Sequence, residues 1–201
     1  NSFFMSKKWV LHPDPPQQFM DEHPELLPIV ARLLYHRNIR TQKEMDEFLN
    51  LDYERDIYDP FLFQDMEKAI ARIFEAIEKQ ESIIVHGDYD ADGVSASVIL
   101  VSTLRALGST NTDVFIPHRE RDGYGLNMNT VNTFIQNKVN LVITCDCGVS
   151  NVPEIIKLQE AGIDTIVTDH HAVPEIPPPA VAIMHPKVPG DPYPEKNLAG
   201  G

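Results

Sequence analysis

The spacing of apolar residues changes from a helical pattern to a strand pattern at about residue 80. Between Asp65 and Gln80 the apolar residues recur at steps of three and four, which predicts an amphipathic helix. These residues are Met66, Ala69, Ile70, Ile73, Phe74 and Ile77. Five short runs rich in β-branched residues follow, and they predict strands. The runs are Ser82–Val85, Asp113–Ile116, Leu141–Thr144, Thr165–Thr168 and Ala180–Met184.

Three helix-like stretches lie between the predicted strands, at Val94–Leu107, Met128–Gln136 and Val152–Glu160. Strands that alternate with helices, and that read as continuous apolar runs, are typical of a parallel sheet covered by helices on both faces. The pattern therefore predicts the α/β class, with a parallel sheet of about five strands.

The residues before this pattern predict a small helical segment. This part of the chain is rich in proline and acidic residues, with short apolar clusters. Within it, Thr41 and Glu44 have the spacing of a capping box, which predicts a helix that runs through Leu49. We therefore expect a helical lead-in over residues 1–64 and the α/β domain over residues 65–201.

The two chain ends carry further expectations. Met5 is a candidate natural start, which would make residues 1–4 extraneous. From Pro174 onward prolines are frequent, which predicts an irregular or linker-like end after the last strand. The chain stops at Gly201 without a helix pattern to cover the last strand, so we expect the domain to be truncated there.

The composition is that of a globular protein with an acidic surface. Of the 201 residues 42% are hydrophobic, and 17 Lys+Arg against 30 Asp+Glu give a formal net charge of −13. A charge of that sign argues against binding of nucleic acid through a broad basic face. It leaves open a protein that binds phosphate through metal ions, since divalent cations reverse the local sign of a carboxylate cluster.

Cysteine spacing and hydropathy bear on the compartment. Cys145 and Cys147 are separated by one residue and cannot build a disulfide framework. No apolar run approaches the roughly 20 residues of a membrane helix. The first positive charges are not followed by the apolar stretch of a signal peptide. We therefore expect a cytoplasmic protein with no membrane partner.

Polar residues cluster directly after four of the five predicted strands. The clusters are residues 86–93, 118–125, 145–148 and 169–171, and each contains Asp, His or Arg. In an open parallel sheet, ligands bind beyond the carboxyl ends of the strands, which lie along one edge. We therefore expect these side chains to form one functional site.

The first cluster has the composition of a divalent-metal site. Asp88, Asp90 and Asp92 alternate along the chain, and three neighbouring carboxylates cannot all be ionised without a counter-charge. Carboxylates together with histidines suit Mn²⁺ or Mg²⁺, and two such ions about 3.5–4 Å apart would bind a phosphoryl group between them. Gly87 and Gly93 are expected to let this loop turn tightly.

Structural roles compete with two of these functional interpretations. Asp92 would serve equally well as the N-cap of the helix that we expect to begin near Val94. The pair His170 and His171 is by itself a weak metal signal, which its position behind a strand strengthens.

Two further clusters also have purely structural interpretations. Cys145 and Cys147 fit better as small residues packed around Asp146 than as a thiolate metal site, because there is no second cysteine pair. The loop at residues 118–125 would be acceptable as an ordinary solvated turn. Arg119 within it is nevertheless placed to meet a phosphate.

Four motifs, in this order along the chain, carry a resemblance to a known family. They are Val85-His86-Gly87-Asp88-Tyr89-Asp90-Ala91-Asp92-Gly93, Ile116-Pro117-His118-Arg119 with Gly123-Tyr124-Gly125-Leu126, Asp146-Cys147-Gly148, and Asp169-His170-His171. With these motifs the chain resembles the DHH phosphoesterases, and among them the bacterial single-strand-specific 5′→3′ DNA exonucleases. The resemblance covers nearly the whole chain. It implies metal-dependent hydrolysis of phosphodiester bonds in single-stranded DNA, in recombination and repair, with two Mn²⁺ or Mg²⁺ ions.

The resemblance also implies roles for individual residues. The implied metal ligands are Asp90, Asp92, Asp146 and His170, with contributions from His86 and Asp88 to the first ion. Arg119 and His171 would bind the scissile phosphate. Asp90, Asp146 and His171 would be the catalytic residues, with Asp146 bridging the two ions.

Partners and rival functions follow from the same resemblance. The implied substrate is single-stranded DNA with a 5′ end, and single-strand-binding protein and a helicase are candidate partners. One rival is a small-substrate DHH phosphodiesterase that cleaves oligonucleotides or cyclic dinucleotides. Another is a non-catalytic replication module with the same fold, which the filled ligand positions disfavour. The family's further metal-binding Asp and additional domains are not in these 201 residues, and His185 stands where the resemblance leads us to expect Asn.

Overall fold

The polypeptide divides into two units between Ile57 and Tyr58 in the computed structural model, which describes residues 8–200. The candidate start at Met5 and the residues before it lie outside that range. The boundary expected from the sequence, after residue 64, lies a few residues further along the chain.

The N-terminal unit is helical, as its sequence predicted. Its helices are α1 (Gln17–Glu22), α2 (Pro28–His36), α3 (Gln42–Leu49) and α4 (Tyr53–Asp56). Four apolar side chains form its buried core: Phe19, Ala31, Leu34 and Met45. The capping box is confirmed, because Thr41 accepts a hydrogen bond from the amide of Glu44 at 3.2 Å and Glu44 accepts one from the amide of Thr41 at 2.9 Å.

Five parallel strands form the sheet of the second unit, which confirms the predicted fold class. They are β1 (Ile83–Gly87), β2 (Thr112–Phe115), β3 (Leu141–Cys145), β4 (Asp164–Thr168) and β5 (Ala182–Met184). Their spatial order is β2-β1-β3-β4-β5, so β3 lies in the middle. Every residue of β3 is buried, as expected for a strand covered on both faces.

Helices cover both faces of this sheet. They are α5 (Met66–Glu78), α6 (Ala91–Ala106), α7 (Met128–Gln136) and α8 (Val152–Glu160), with a 3-10 turn at Pro60–Leu62 before them. On one face α5 and α6 share a core with Val85 and Ile143, and on the other α7 and α8 pack with Val142 and Val167. Within residues 8–200 no helix has both the length and the apolar character needed to cross a bilayer.

The start of α6 differs from the prediction. The helix begins at Ala91 rather than near Val94, because Oδ1 of Asp90 accepts hydrogen bonds from the amides of Asp92 (2.9 Å) and Gly93 (3.1 Å). The N-cap is therefore Asp90, and the capping role considered for Asp92 is wrong.

The proline-rich tail after β5 has no regular secondary structure, as predicted, but it is not a linker. Tyr193 is buried, and its ring stacks on that of Phe63 with 4.0 Å between the centroids. Asp191 is also buried and accepts hydrogen bonds from the amides of Gln64 (3.1 Å) and Tyr193 (2.9 Å). These contacts make the tail part of the second unit.

Candidate metal centre

Carboxylates and imidazoles from three strand ends converge at the carboxyl edge of the sheet. One group consists of Asp88, Asp90 and Asp146, and a second of Asp146, His170 and His171. Within each group, one ligand atom from each residue lies within 4.8 Å of the others. Asp146 belongs to both groups, which is the position that a carboxylate bridging two cations would take.

Asp146 adopts a left-handed backbone conformation, with φ of +61°. Few residues other than glycine adopt it, and aspartate is among those that tolerate it best. The amide of Asp146 donates to the carbonyl of Thr168 at 2.9 Å, which joins the turn after β3 to the end of β4. Burial and the nearby negative charge of Asp92 raise the pKa of Asp146 to about 6. A cation in the site would oppose that rise.

Two buried carboxylate oxygens, Oδ1 of Asp88 and Oδ1 of Asp146, accept no hydrogen bond. Nε2 of His170 lies 2.9 Å from Oδ1 of Asp146, but without hydrogen-bond geometry. Buried polar atoms without partners are costly, and a divalent cation would satisfy both oxygens. Because carboxylates and imidazoles together suit Mn²⁺, and carboxylates also suit Mg²⁺, these residues fit the predicted metals.

A close approach between α6 and the end of β1 determines where Asp88 lies. Neither Gly87 nor Gly93 has a left-handed φ, so the expectation that these glycines supply a tight turn is wrong. A Cβ atom on Gly93 would instead lie 2.5 Å from the amide nitrogen of Asp88. The first turn of α6 can approach Asp88 this closely because position 93 carries no side chain.

Asp92 lies beside the two groups and contacts one of their members. Its Oδ2 atom is 3.7 Å from Nε2 of His170. The same oxygen accepts a hydrogen bond from the amide of Gly200 at 2.8 Å, so the C-terminal tail returns to this acidic cluster. No feature of the sequence indicated that return.

His86 is a predicted ligand that the structure does not bring into either group. Its ring is fully buried on the face covered by α7, where it stacks on Phe115 with 5.4 Å between centroids. Its Nδ1 atom lies 3.6 Å from Sγ of Cys147. Burial lowers the pKa of His86 to about 4, so the imidazole is neutral at pH 7. Strand alternation explains this placement, because Val85 already occupies the opposite face.

Asp169 organises the loop that carries both histidines of the second group. Its carboxylate accepts hydrogen bonds from the amides of Val149 (2.9 Å), His170 (2.7 Å) and His171 (3.1 Å). Burial acts to raise the pKa of Asp169, but these hydrogen bonds outweigh it and the net pKa is lowered. Oδ1 of Asp169 also lies 2.8 Å from Nδ1 of His171. A proton on Nδ1 that is donated to Asp169 leaves Nε2 of His171 with its lone pair.

Tyr124 is a second residue that orients His171. Its hydroxyl donates to the carbonyl of Asp146 at 3.1 Å and lies 2.9 Å from Nδ1 of His171. The sequence alone indicated no role for Tyr124 or Asp169. Both stand inside the motifs, but a motif does not say which of its members touch one another.

Arg119 lies in the loop after β2, with its guanidinium over the ring of Tyr89. Its Cζ atom is 4.2 Å from the ring centroid, which is within the range of a cation–π contact. Burial raises the pKa of Asp88, and the positive charge of Arg119 opposes that rise. Arg119 is therefore close enough to the first carboxylate group to act on it electrostatically.

The two cysteines are packing residues in this structure. Both are buried, and Cys145 belongs to the core beneath α5 and α6. Burial raises the pKa of Cys145 to about 11 and also raises that of Cys147. Neutral buried thiols are poor metal ligands, which agrees with their interpretation as small residues packed around Asp146.

The sequence of the α/β domain matches a known family. Residues 82–193 match the family model described as the DHH family, N-terminal domain. The chain belongs to the DHH family. Among DHH proteins, it is 41% identical over 182 residues to the single-stranded-DNA-specific exonuclease RecJ of Bacillus subtilis. That alignment covers 90% of this chain and 23% of the relative, so the chain spans about a quarter of the relative's length.

Solved structures of DHH-family exonucleases share the fold. A structure of exonuclease RecJ bound to manganese superposes with a TM-score of 0.65 at 38% identity, over 72% of this chain and 36% of that one. RecJ in complex with Mn²⁺ from Thermus thermophilus superposes with a TM-score of 0.59 at 33% identity, over 93% of this chain and 26% of that one. The expected membership in the DHH family is therefore confirmed in sequence and in fold.

Proposed function

We propose that this chain is the catalytic core of a metal-dependent exonuclease that hydrolyses single-stranded DNA in the 5′→3′ direction. The observation that carries the proposal is the pair of ligand groups that share Asp146 at the carboxyl edge of the sheet. The names of the relatives support it, since the B. subtilis relative is a single-stranded-DNA-specific exonuclease and one similar structure is bound to manganese.

The proposed metal is Mn²⁺ or Mg²⁺, held as two ions. We assign as ligands Asp88, Asp90, Asp92, Asp146 and His170. When bound, the ions would supply positive charge to the phosphate oxygens and lower the pKa of a water molecule. His86 stays a proposed contributor, but only the resemblance supports it. The structure adds no support, because the imidazole of His86 is buried beside Cys147.

We assign the substrate phosphate to Arg119 and His171. A guanidinium can donate two parallel hydrogen bonds to a phosphate. The ring of Tyr89 packs against the guanidinium of Arg119. Asp169 and Tyr124 hold the ring of His171 at Nδ1, which leaves Nε2 for the site. Because a surface with a net charge of −13 repels a polyanion, the bound cations and Arg119 would provide the attraction for DNA.

The finer parts of this function stay predictions of the resemblance. They are the preference for a 5′ end, a role in recombination and repair, contacts with single-strand-binding protein and a helicase, and a cytoplasmic location. The further metal-binding Asp and the additional domains expected from the resemblance belong with them.

The proposal is tested with single-stranded DNA labelled at its 5′ or its 3′ end, in the presence of Mn²⁺. The 201-residue chain is compared with the polypeptide that its whole reading frame encodes. We expect the longer polypeptide to release mononucleotides from the 5′ end, with no degradation of duplex DNA, and the 201-residue chain alone to be nearly inactive on long single strands. His170→Ala abolishes the release, whereas His12→Ala, a histidine of the N-terminal unit, leaves it unchanged. Cleavage of dinucleotides without degradation of long strands would instead favour a small-substrate phosphodiesterase.

A further inference from the structure

His185 follows β5 directly, and its side chain is completely buried although nothing in the sequence explains a histidine there. Both of its ring nitrogens have partners. Nδ1 accepts a hydrogen bond from the amide of Lys187 at 3.0 Å, and Nε2 lies 3.1 Å from the carbonyl oxygen of His171. Because Nδ1 accepts, the ring proton is on Nε2 and is donated to His171.

Two further hydrogen bonds join the segment around His185 to the loop formed by residues 169–171. The ammonium group of Lys187 donates to the carbonyl oxygen of His170 at 2.6 Å. The amide of Asp169 donates to the carbonyl of Met184 at 3.2 Å. Each residue of the 169–171 loop is thus hydrogen-bonded to a residue between 184 and 187. The carbonyls of both histidines are held by side chains from this one segment.

We propose that the 185–187 turn is a positioning element, which fixes the backbone of His170 and His171 so that the imidazole of His170 stays placed for the metal and that of His171 for the phosphate. The 169–171 loop has no regular secondary structure of its own, so the carbonyls of His170 and His171 are paired by side chains rather than within a helix or a sheet. The carboxylate of Asp169 accepts hydrogen bonds from the amides of His170 and His171. The side chains of His185 and Lys187 donate to the carbonyl oxygens of the same two histidines. This inference rests on the proposed function, in which the two histidines serve the metal and the phosphate.

Preorganised ligands bind metal more tightly, and loss of an outer contact to a ligand typically costs about 10- to 100-fold in metal affinity. Neither His185 nor Lys187 belongs to the two ligand groups found in the described residues. Their substitution should therefore weaken the site without removing a ligand. Pro186 lies between them, and its restricted φ limits the ways in which this turn can rearrange.

Binding of Mn²⁺ to the 201-residue chain, measured by titration calorimetry, tests the proposal. Lys187→Met removes one exposed side-chain contact, and we expect it to weaken binding by about tenfold. Lys196→Met is the matched control, because Lys196 also donates to a backbone carbonyl of the tail, that of Asp191 at 2.9 Å. We expect this control to bind Mn²⁺ as the unsubstituted chain does.

Two substitutions at the buried position separate positioning from filling of space. His185→Leu keeps a side chain of similar size without polar atoms, and we expect a loss of about tenfold or more in Mn²⁺ affinity. His185→Asn carries a donor and an acceptor on one amide, and we expect it to restore affinity to within about threefold of the unsubstituted chain. Melting temperatures in EDTA show whether either variant has simply failed to fold.

A spectroscopic readout without metal distinguishes failure of this inference from failure of the proposed function. We expect the imidazole NMR signals of His170 and His171 to shift or broaden in Lys187→Met and His185→Leu but not in Lys196→Met. If the unsubstituted chain bound no Mn²⁺ and these signals still changed, the proposed function would fail and the positioning role would stand. If Mn²⁺ affinity and the two histidine signals were the same in Lys187→Met, His185→Leu and the control, the positioning role would be overturned.

Discussion

Nε2 of His170 lies 2.9 Å from Oδ1 of Asp146, so the loop after β4 meets a carboxylate presented from the end of β3. Asp146 reaches this position through its left-handed backbone conformation. The contact lies within the second ligand group, and the buried carboxylate of Asp146 is the one that both groups share, so negative charge and imidazole nitrogen are concentrated around it. Repulsion among the carboxylates is the cost of this arrangement in the absence of a cation.

The first prediction concerns the shared carboxylate. Asp146→Asn should abolish the rise in melting temperature that Mn²⁺ produces, and leave the metal-free melting temperature unchanged or higher, because it removes a carboxylate that burial and Asp92 disfavour. Asparagine also tolerates the left-handed φ, which alanine does not. Asp113→Asn makes the same chemical change on an exposed residue of β2 and should leave the Mn²⁺ effect intact. An undiminished Mn²⁺ shift in Asp146→Asn would place the ion elsewhere.

A second prediction separates the two roles of Asp90, which caps α6 and belongs to the first ligand group. Asp90→Asn keeps an N-cap, so its unfolding free energy should stay near that of the unsubstituted chain. Asp90→Ala loses the cap as well and should be destabilised by about 1 kcal/mol in urea unfolding. Both variants should lose nuclease activity in the full-length protein. Activity above about a hundredth of the unsubstituted level in Asp90→Asn would show that the carboxylate is not a primary metal ligand.

The contact between Arg119 and Tyr89 leads to a third prediction, which is tested by measuring the KM for single-stranded DNA. Tyr89→Phe keeps the ring under the guanidinium and should leave KM unchanged, whereas Tyr89→Leu should raise it about two- to fivefold. That range corresponds to the roughly 0.5–1 kcal/mol of an exposed cation–π contact. Arg40→Met removes a similar contact, that of Arg40 with Tyr35 in the N-terminal unit, and should have no effect on KM. Equal KM values for the Phe and Leu variants would show that Tyr89 does not support Arg119.

The fourth prediction concerns the two cysteines. Because both thiols are buried and burial raises the pKa of Cys145 to about 11, neither should react with a thiol-specific reagent in the folded chain at pH 8. Both should react at once in guanidinium chloride, which serves as the control. Rapid labelling of the folded chain would mean that the strand end next to Asp146 opens to solvent, and would contradict the packing described above.

The order of apolar and polar residues was sufficient to predict the elements of the α/β domain. The three- and four-residue steps predicted α5, and the β-branched runs predicted all five strands, because these patterns depend on local geometry alone. The carboxyl ends of parallel strands share one edge, so Asp90, Asp146 and His170 were also expected to lie close together. The structure bears out that proximity through the two ligand groups and the 3.7 Å contact of Asp92 with His170.

Only the tertiary structure decided which of these side chains face the site and what holds them there. His86 ends in a buried stack with Phe115, Asp146 has a left-handed φ, and the tail returns so that His185 contacts the carbonyl of His171. Each outcome depends on contacts between elements far apart in the chain, such as the covering of one strand face by a helix. A motif records which residues are present, whereas burial and hydrogen bonding between distant segments determine the direction in which each one points.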